Sequence, residues 1–269
     1  MHKIYYVLFI LMLLCFGCDL QINRPVASSN DIAIERFDRI ESKFLINHDL
    51  AALQQMKFDY PLQTHVLIEN ILKLGNVDEL DINSSLYNFY KDTTLQKILR
   101  EVNVQYADLS DVNKELTECF ARLKVYLPNI SIPHFYTFIG ALTESIIVID
   151  GYVGISLDKY LGQDFYIYSN YYPENQRRTM VRSMIVPDCI GFYLLSCYPS
   201  PQTDTLSHSR EIHRGKIQWL VNQVTKKNVF TDDNVVAVDI FMKNNKNLSI
   251  EDLLSDSTIV LTTDNPQIL

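Results

Sequence analysis

Two β-rich runs joined by Asp150-Gly151 place the strongest constraint on this fold. In Ile146-Ile147-Val148-Ile149-Asp150-Gly151-Tyr152-Val153-Gly154-Ile155-Ser156-Leu157 most residues on either side of the Asp-Gly pair are β-branched or apolar. A two-residue type I′ turn needs positive φ at both central positions, and Asp-Gly adopts that conformation with little strain. The pattern predicts a hairpin. With Phe135 to Ile139 ahead of it, it predicts a small antiparallel unit over roughly 135–157. Before Pro133 the apolar residues repeat at helical spacing instead, so the expected class is α+β: mainly helical, with a small antiparallel or mixed sheet.

Helices are predicted over Asp31 to Leu45, where Ile34, Phe37, Ile40 (or Glu41) and Phe44 share a face, and over Thr64 to Leu74, with Gly75 suited to the C′ position. A shorter one is predicted from Leu95 to Val104, and a longer one from an N-capping Ser110 to Leu127, stopped by Pro128. After the hairpin, Asp158 to Gly162 reads as one helical turn closed by glycine. Gln176 to Cys197 reads as a long helix that Pro187 and Gly191 should kink or divide. Ser207 to Val224 is a further helix with Ile212, Ile217, Leu220 and Val224 inward; beyond Phe230 the pattern predicts a strand, Val235 to Phe241, and a short helix, Ile250 to Leu254. Six of the eight glycines fall between 140 and 215, so backbone freedom is concentrated around the hairpin and the segment after it.

The first eighteen residues bear on location. Lys3 precedes an apolar run from Ile4 to Phe16, long enough for a signal h-region but short of the roughly 20 residues of a membrane-spanning helix. Gly17-Cys18 resembles a bacterial lipobox, with Cys15 where leucine is usual. That resemblance implies a diacylglycerol thioether on Cys18 as the only attached group. Two or three acyl chains, at about 0.8 kcal/mol per buried CH₂, hold a protein to a membrane durably. The expected organisation is a signal peptide over 1–17, a lipidated tether over 18–30 and one globular domain over 31–269.

A formal net charge of −8 and the lack of a basic stripe exclude broad electrostatic binding to nucleic acid. Cys119, Cys189 and Cys197 read as small buried hydrophobes. A 189–197 disulfide is open only if that segment is not one continuous helix. His208 and His213 are five apart, about 140° around a helix at about 100° per residue, so one helix face cannot present both to a metal; they read as solvated or capping residues. Asp158 is either a site carboxylate or, as preferred, the N-cap of its own turn. Tyr166, Tyr168, Tyr171 and Tyr172 are either a stacking surface or core with hydroxyls at the rim. Arg177-Arg178 is either an anion clamp or a solvated face. Asp158, Tyr160, Asp164, Tyr168, Tyr171 and Arg177 together are the candidate binding surface. No phosphate loop, nucleophile elbow or metal-ligand spacing marks a catalytic centre, so no catalytic residue and no cofactor beyond the lipid is expected.

The string Gly154-Ile155-Ser156-Leu157-Asp158-Lys159-Tyr160-Leu161-Gly162-Gln163-Asp164 carries a family likeness. With Tyr136-Thr137-Phe138-Ile139 before it, Arg214-Gly215-Lys216-Ile217 after it and the Leu116 to Pro128 helix leading into Ile132-Pro133, it resembles the gliding-motility-associated lipoprotein B family of the Bacteroidetes. The likeness runs from the lipobox to about Val224 and stops there. It implies a lipid-anchored, periplasm-facing envelope protein with other envelope proteins as partners and no established catalytic residue. The helix–hairpin–helix order also looks like that of the zincin peptidases without their metal motif. A degenerate hydrolase and a glycan- or peptide-binding module are therefore the alternatives.

Overall fold

The structure, a computed structural model, describes residues 31–200 and 207–255, and the side chains of Ser207 and His208 fall outside the description. The leader, Cys18 and the tether 18–30 lie outside the described residues. Helices α1 (Phe37–Asn47), α2 (Leu50–Asp59) and α3 (Pro61–His65, running on as the π-helix Val66–Ile71) come first, followed by α4 (Ile82–Phe89), α5 (Thr93–Gln105) and α6 (Ser110–Tyr126). Strands β1 (His134–Phe138), β2 (Ile146–Ile149) and β3 (Tyr152–Ser156) follow. Then come α7 (Glu174–Arg177), α8 (Ile185–Cys197), α9 (Ser207–Thr225), α10 (Asp233–Asn244) and α11 (Ile250–Ser255). Among the described residues no helix is long and apolar enough to cross a membrane.

The three strands form one mixed sheet in the order β1-β3-β2. β2 and β3 are the expected hairpin, with Val148 opposite Val153 and both turn residues at positive φ, 48° at Asp150 and 79° at Gly151. β1, however, runs parallel to β3, Phe135 beside Val153 and Thr137 beside Ile155, so the expected antiparallel unit over 135–157 is corrected to a mixed one. The apolar runs alone do not distinguish the two: a strand covered on both faces reads as a continuous apolar stretch whichever way it pairs. On one face Phe135 meets Phe120 of α6 at 5.6 Å, and Phe120 meets Tyr193 of α8 at 5.9 Å. On the other, Tyr136 meets Phe37 of α1 edge-on at 6.4 Å. Tyr136 also lies over its parallel neighbour Gly154, where a Cβ would stand 2.6 Å from the ring. Glycine there is a packing requirement.

The helix boundaries show where local signals were overruled. Residues before Phe37 are extended, because Glu35 adds a parallel bridge to β1 through Glu35 N–H to Phe135 O (2.9 Å) and Thr137 N–H to Glu35 O (2.9 Å). The helix expected from Asp31 therefore starts later. α3 and its π-turn end at Ile71, and Lys73 (φ 53°) takes the left-handed position assigned to Gly75. Ser110 is the first residue of α6 rather than its cap; its N–H and hydroxyl both donate to Asp108. α2 and α4 were not anticipated, although Asp49 caps α2 through the amides of Ala51 and Ala52.

The long helix expected over Gln176–Cys197 is instead the short α7, a 3₁₀ turn at Arg182–Met184 and α8. α8 runs unbroken through Pro187 and Gly191. Pro187 is the third residue of α8, within the first turn, where its missing N–H has no intrahelical partner to lose. The expected strand Val235–Phe241 is helix α10. Asp232 caps it by accepting from Asn234 N–H and Val235 N–H, and Val235 and Val238, three apart, are buried. The cap and the 3-residue spacing outweigh the β-branched composition. α9 buries Ile212, Ile217, Leu220 and Val224 as expected. Cys119 and Cys189 are buried thiols. Cys197 is exposed, which corrects its assignment to the core, and the continuous α8 leaves no 189–197 disulfide.

Candidate functional site

Because β1 and β2 flank β3, the chain between them, residues 139–145, must cross the end of β3. Backbone groups on such a crossing have no strand to pair with, and buried N–H groups need acceptors from elsewhere. Side chains supply them. Asp158, just past β3 and wholly buried, accepts from Gly140 N–H at 3.1 Å and from the Ser156 hydroxyl at 2.6 Å on one oxygen, and from Leu142 N–H at 2.6 Å on the other. Glu41 of α1, also fully buried, accepts from Ile139 N–H at 2.9 Å. The Tyr90 hydroxyl donates to Ile139 O at 2.5 Å, and Tyr172 OH donates to Leu142 O at 2.5 Å. Lys159 Nζ reaches Leu142 O at 3.3 Å and Tyr172 OH at 2.8 Å. Inside this seat Ala141 and Leu142 sit at φ 52° and 64°, two successive non-glycine residues in the left-handed region, a conformation that persists only where its surroundings impose it.

Burial raises the Asp158 carboxyl above the usual carboxylate range, against the pull of its hydrogen bonds. It lowers the Lys159 ammonium. Burial raises Glu41 more strongly, and among the described residues no salt bridge reaches it, whereas buried Asp38, one turn earlier, is held by Arg36 at 2.8 Å. A second layer supports the first. The Tyr168 hydroxyl donates to Asp158 O and accepts from Leu161 N–H (2.9 Å), Tyr106 OH donates to Tyr160 O (2.5 Å), and Tyr160 OH donates to Asp188 at 2.8 Å. Burial lifts Asp188 to about 6.

The six residues expected to form one surface are therefore split between interior and exterior. Asp158, Tyr160 and Tyr168 are interior, and Asp158 holds the crossing loop instead of capping its own turn. Tyr168 cannot pair with Tyr171 as an exposed stacking platform, because only Tyr166 and Tyr171 of the four tyrosines are open, at 61% and 59%. Asp164 and Arg177 do come together: with Gln163, Glu174 and Arg178 they line an open, polar depression of about 370 Å³. Arg178 is taken by Glu174 at 2.6 Å, while Arg177, among the described residues, has one long contact, to Gln163 O at 3.4 Å. Arg182 fastens this lobe to α5 and α6, pairing with Asp111 at 2.6 Å and lying over the Tyr106 ring. His213 is buried and not solvated: its Nε2 meets Tyr198 O at 2.7 Å at the end of α8, and burial lowers its basicity. His208 lies outside the described side chains.

Sequence reasoning missed Glu41, Tyr90, Tyr106 and Asp188. One signal was available. Glu41 follows Phe37 by four and precedes Phe44 by three, which puts a carboxylate on the apolar stripe of α1.

The zincin-like layout expected from the element order finds no support, and no curated protein and no solved structure matches the chain. The likeness carried by Gly154–Asp164 does find support: residues 21–232 match the family model described as gliding motility protein GldB, and the chain belongs to that lipoprotein family.

Proposed function

We propose that this protein is a lipid-anchored, periplasm-facing component of the cell envelope that works by docking other envelope proteins, without catalysis of its own. The observation that carries this reading is how the family motif is spent. From Gly154 to Tyr160 its side chains are buried in holding the crossing loop and the sheet end, and from Gly162 it opens into the lobe that displays Tyr166, Tyr171, Asp164 and Arg177. Tyrosine and arginine at the surface give rigid, amphipathic and bidentate contact, the residue types enriched where proteins recognise one another. The Asp158 and Asp188 carboxyls are engaged by the chain's own amides and hydroxyls, an arrangement suited to a frame.

Photo-crosslinking residues placed at Tyr166, Tyr171 or Arg177 in the native envelope test the reading. Adducts with a distinct envelope protein are expected at these positions and not at exposed Lys97 on α5. Yields equal to those at Lys97 would refute the docking role of this lobe. Cys18→Ala is expected to release the protein from membranes, measured by fractionation with metabolic acyl labelling; undiminished membrane association would remove the anchor from the proposal.

A further inference from the structure

The crossing loop is held by two carboxyl groups of unlike standing. Asp158 has three hydrogen-bond donors directed at it and Lys159 next in sequence. Glu41 has one. Its Oε2 takes Ile139 N–H and no part of the side chain reaches solvent; among the described residues its Oε1 has no hydrogen-bond donor and no cation pairs with it. The groups facing it from every packed element are acidic or phenolic: Asp38 on its own helix, Tyr90 just past α4, Tyr136 on β1 and Asp158 beyond β3. Of the cations near this set, Arg36 is bidentate on Asp38, Arg39 stands 3.9 Å from the same carboxylate, and Lys159 Nζ is spent on Leu142 O and Tyr172 OH. An ionised carboxylate in that setting would carry a buried charge with neither solvent nor counter-ion. A neutral carboxylic acid instead has one oxygen that accepts Ile139 N–H and an O–H available to the Tyr90 oxygen.

We propose that the 139–145 loop is a proton-linked latch: it is seated when Glu41 is a neutral acid and leaves its seat as Glu41 ionises. The loop is the element free to respond. Its backbone is secured to side chains at Ile139, Gly140 and Leu142, its two left-handed residues favour a different conformation once released, and Thr143 and Glu144 already reach solvent. The strands beside it keep their own ladder hydrogen bonds.

The direction follows from linkage. Burial raises the folded-state pKa of Glu41 above the ordinary 4.5, so the stabilisation of the seated loop is complete below that value. It is lost as pH rises to the folded-state pKa. Between the two values the opening constant grows about tenfold per pH unit, and above the upper value it levels off.

Amide hydrogen exchange at Ile139, Gly140 and Leu142, corrected for the intrinsic base dependence, tests the latch. In the wild type, protection of these amides is expected to fall with this slope while that of Leu116 to Leu123 in α6 stays constant. In Glu41→Gln, whose amide oxygen keeps the Ile139 N–H bond without a titrating proton, the fall of loop protection with pH should be clearly shallower than in the wild type. In Asp158→Asn it should be weaker overall yet still fall with pH. A flat wild-type profile, or a Glu41→Gln profile as steep as the wild type, overturns the proposal. A ¹³C titration of the Glu41 carboxyl in the wild type gives an answer that does not depend on any variant folding; a midpoint at the ordinary glutamate value also overturns it.

Discussion

The two ends of the small sheet reach tight backbone geometry by opposite routes. At one end Asp150 and Gly151 turn β2 into β3 with positive φ at both positions, and nothing lies within 4 Å of where a Gly151 Cβ would be. That turn is specified by its own two residues. At the other end Ala141 and Leu142 also take positive φ, but neither residue type favours it. The conformation is imposed by Asp158, Glu41, Tyr90, Tyr172 and Ser156, which come from four separate stretches of chain. Local chemistry makes a turn that would form in many folds. Tertiary chemistry makes a loop that exists only in this one, and it is this second kind that the family motif encodes.

The largest test of that difference is Asp158→Ala. It strands the Leu142 N–H and the Ser156 hydroxyl and leaves Gly140 N–H only the Ser156 oxygen at 3.2 Å; each unmet buried donor costs about 1–3 kcal/mol, so a loss of about 2–3 kcal/mol or more is expected in denaturant unfolding. Asp158→Asn keeps acceptor oxygen on one side and should lose less. If Asp158→Ala costs under 1 kcal/mol, the loop is held by other means and the contrast between the two sheet ends fails.

Gly154→Ala probes the middle of the sheet, between the two regimes. The added methyl would meet the buried Tyr136 ring at 2.6 Å, and the ring is enclosed, only 1% exposed. Overpacking of this kind costs roughly 1–3 kcal/mol. Gly154→Ala with Tyr136→Leu should recover part of the loss, a non-additivity that identifies the contact as its source.

What was legible in the sequence divides along the same line. The hairpin, the inward face of α9, the short α11 and the end of α6 at Pro128 all rest on neighbours in sequence, and all are found. The direction of β1 and the late start of α1 depend on a partner far away, Glu35 bridging to Tyr136, whereas the helical state of Val235–Phe241 rested on a local cap at Asp232 that its β-branched composition masked. At the candidate site the pairing of Asp164 with Arg177 in one depression follows from short chain separation. The burial of Asp158 and Tyr168 does not, because a polar residue is drawn inside only when donors from elsewhere are waiting for it. Glu41 on the apolar stripe of α1 was the one such residue visible beforehand.

Asp188 sharpens the account of the supported end. Its folded-state value of about 6 lies above the ordinary 3.8, so the stability it allows is complete below about 4 and declines as pH rises through 6. Asp188→Asn retains an acceptor for Tyr160 OH and does not titrate. Relative to wild type, the variant should gain about 1–2 kcal/mol between pH 4 and pH 7, the lower figure if partial exposure screens the charge. Unfolding midpoints of both proteins at the two pH values measure this, and an unchanged difference would show that Asp188 is already ionised at pH 4.

The smallest effect belongs to the locally encoded end. Gly151→Ala puts a Cβ into open space, so packing contributes nothing and the whole cost is backbone: a non-glycine residue at φ 79°, about 1 kcal/mol. Gly151→Asn should cost less, because asparagine tolerates the left-handed region, and neither change should alter protection of the Ile139, Gly140 and Leu142 amides at the far end of the sheet. A turn variant that loosened those amides would mean the hairpin transmits its geometry along β3 to the crossing loop. The two ends would then be one cooperative unit, and the separation drawn between local and tertiary control would have to be given up.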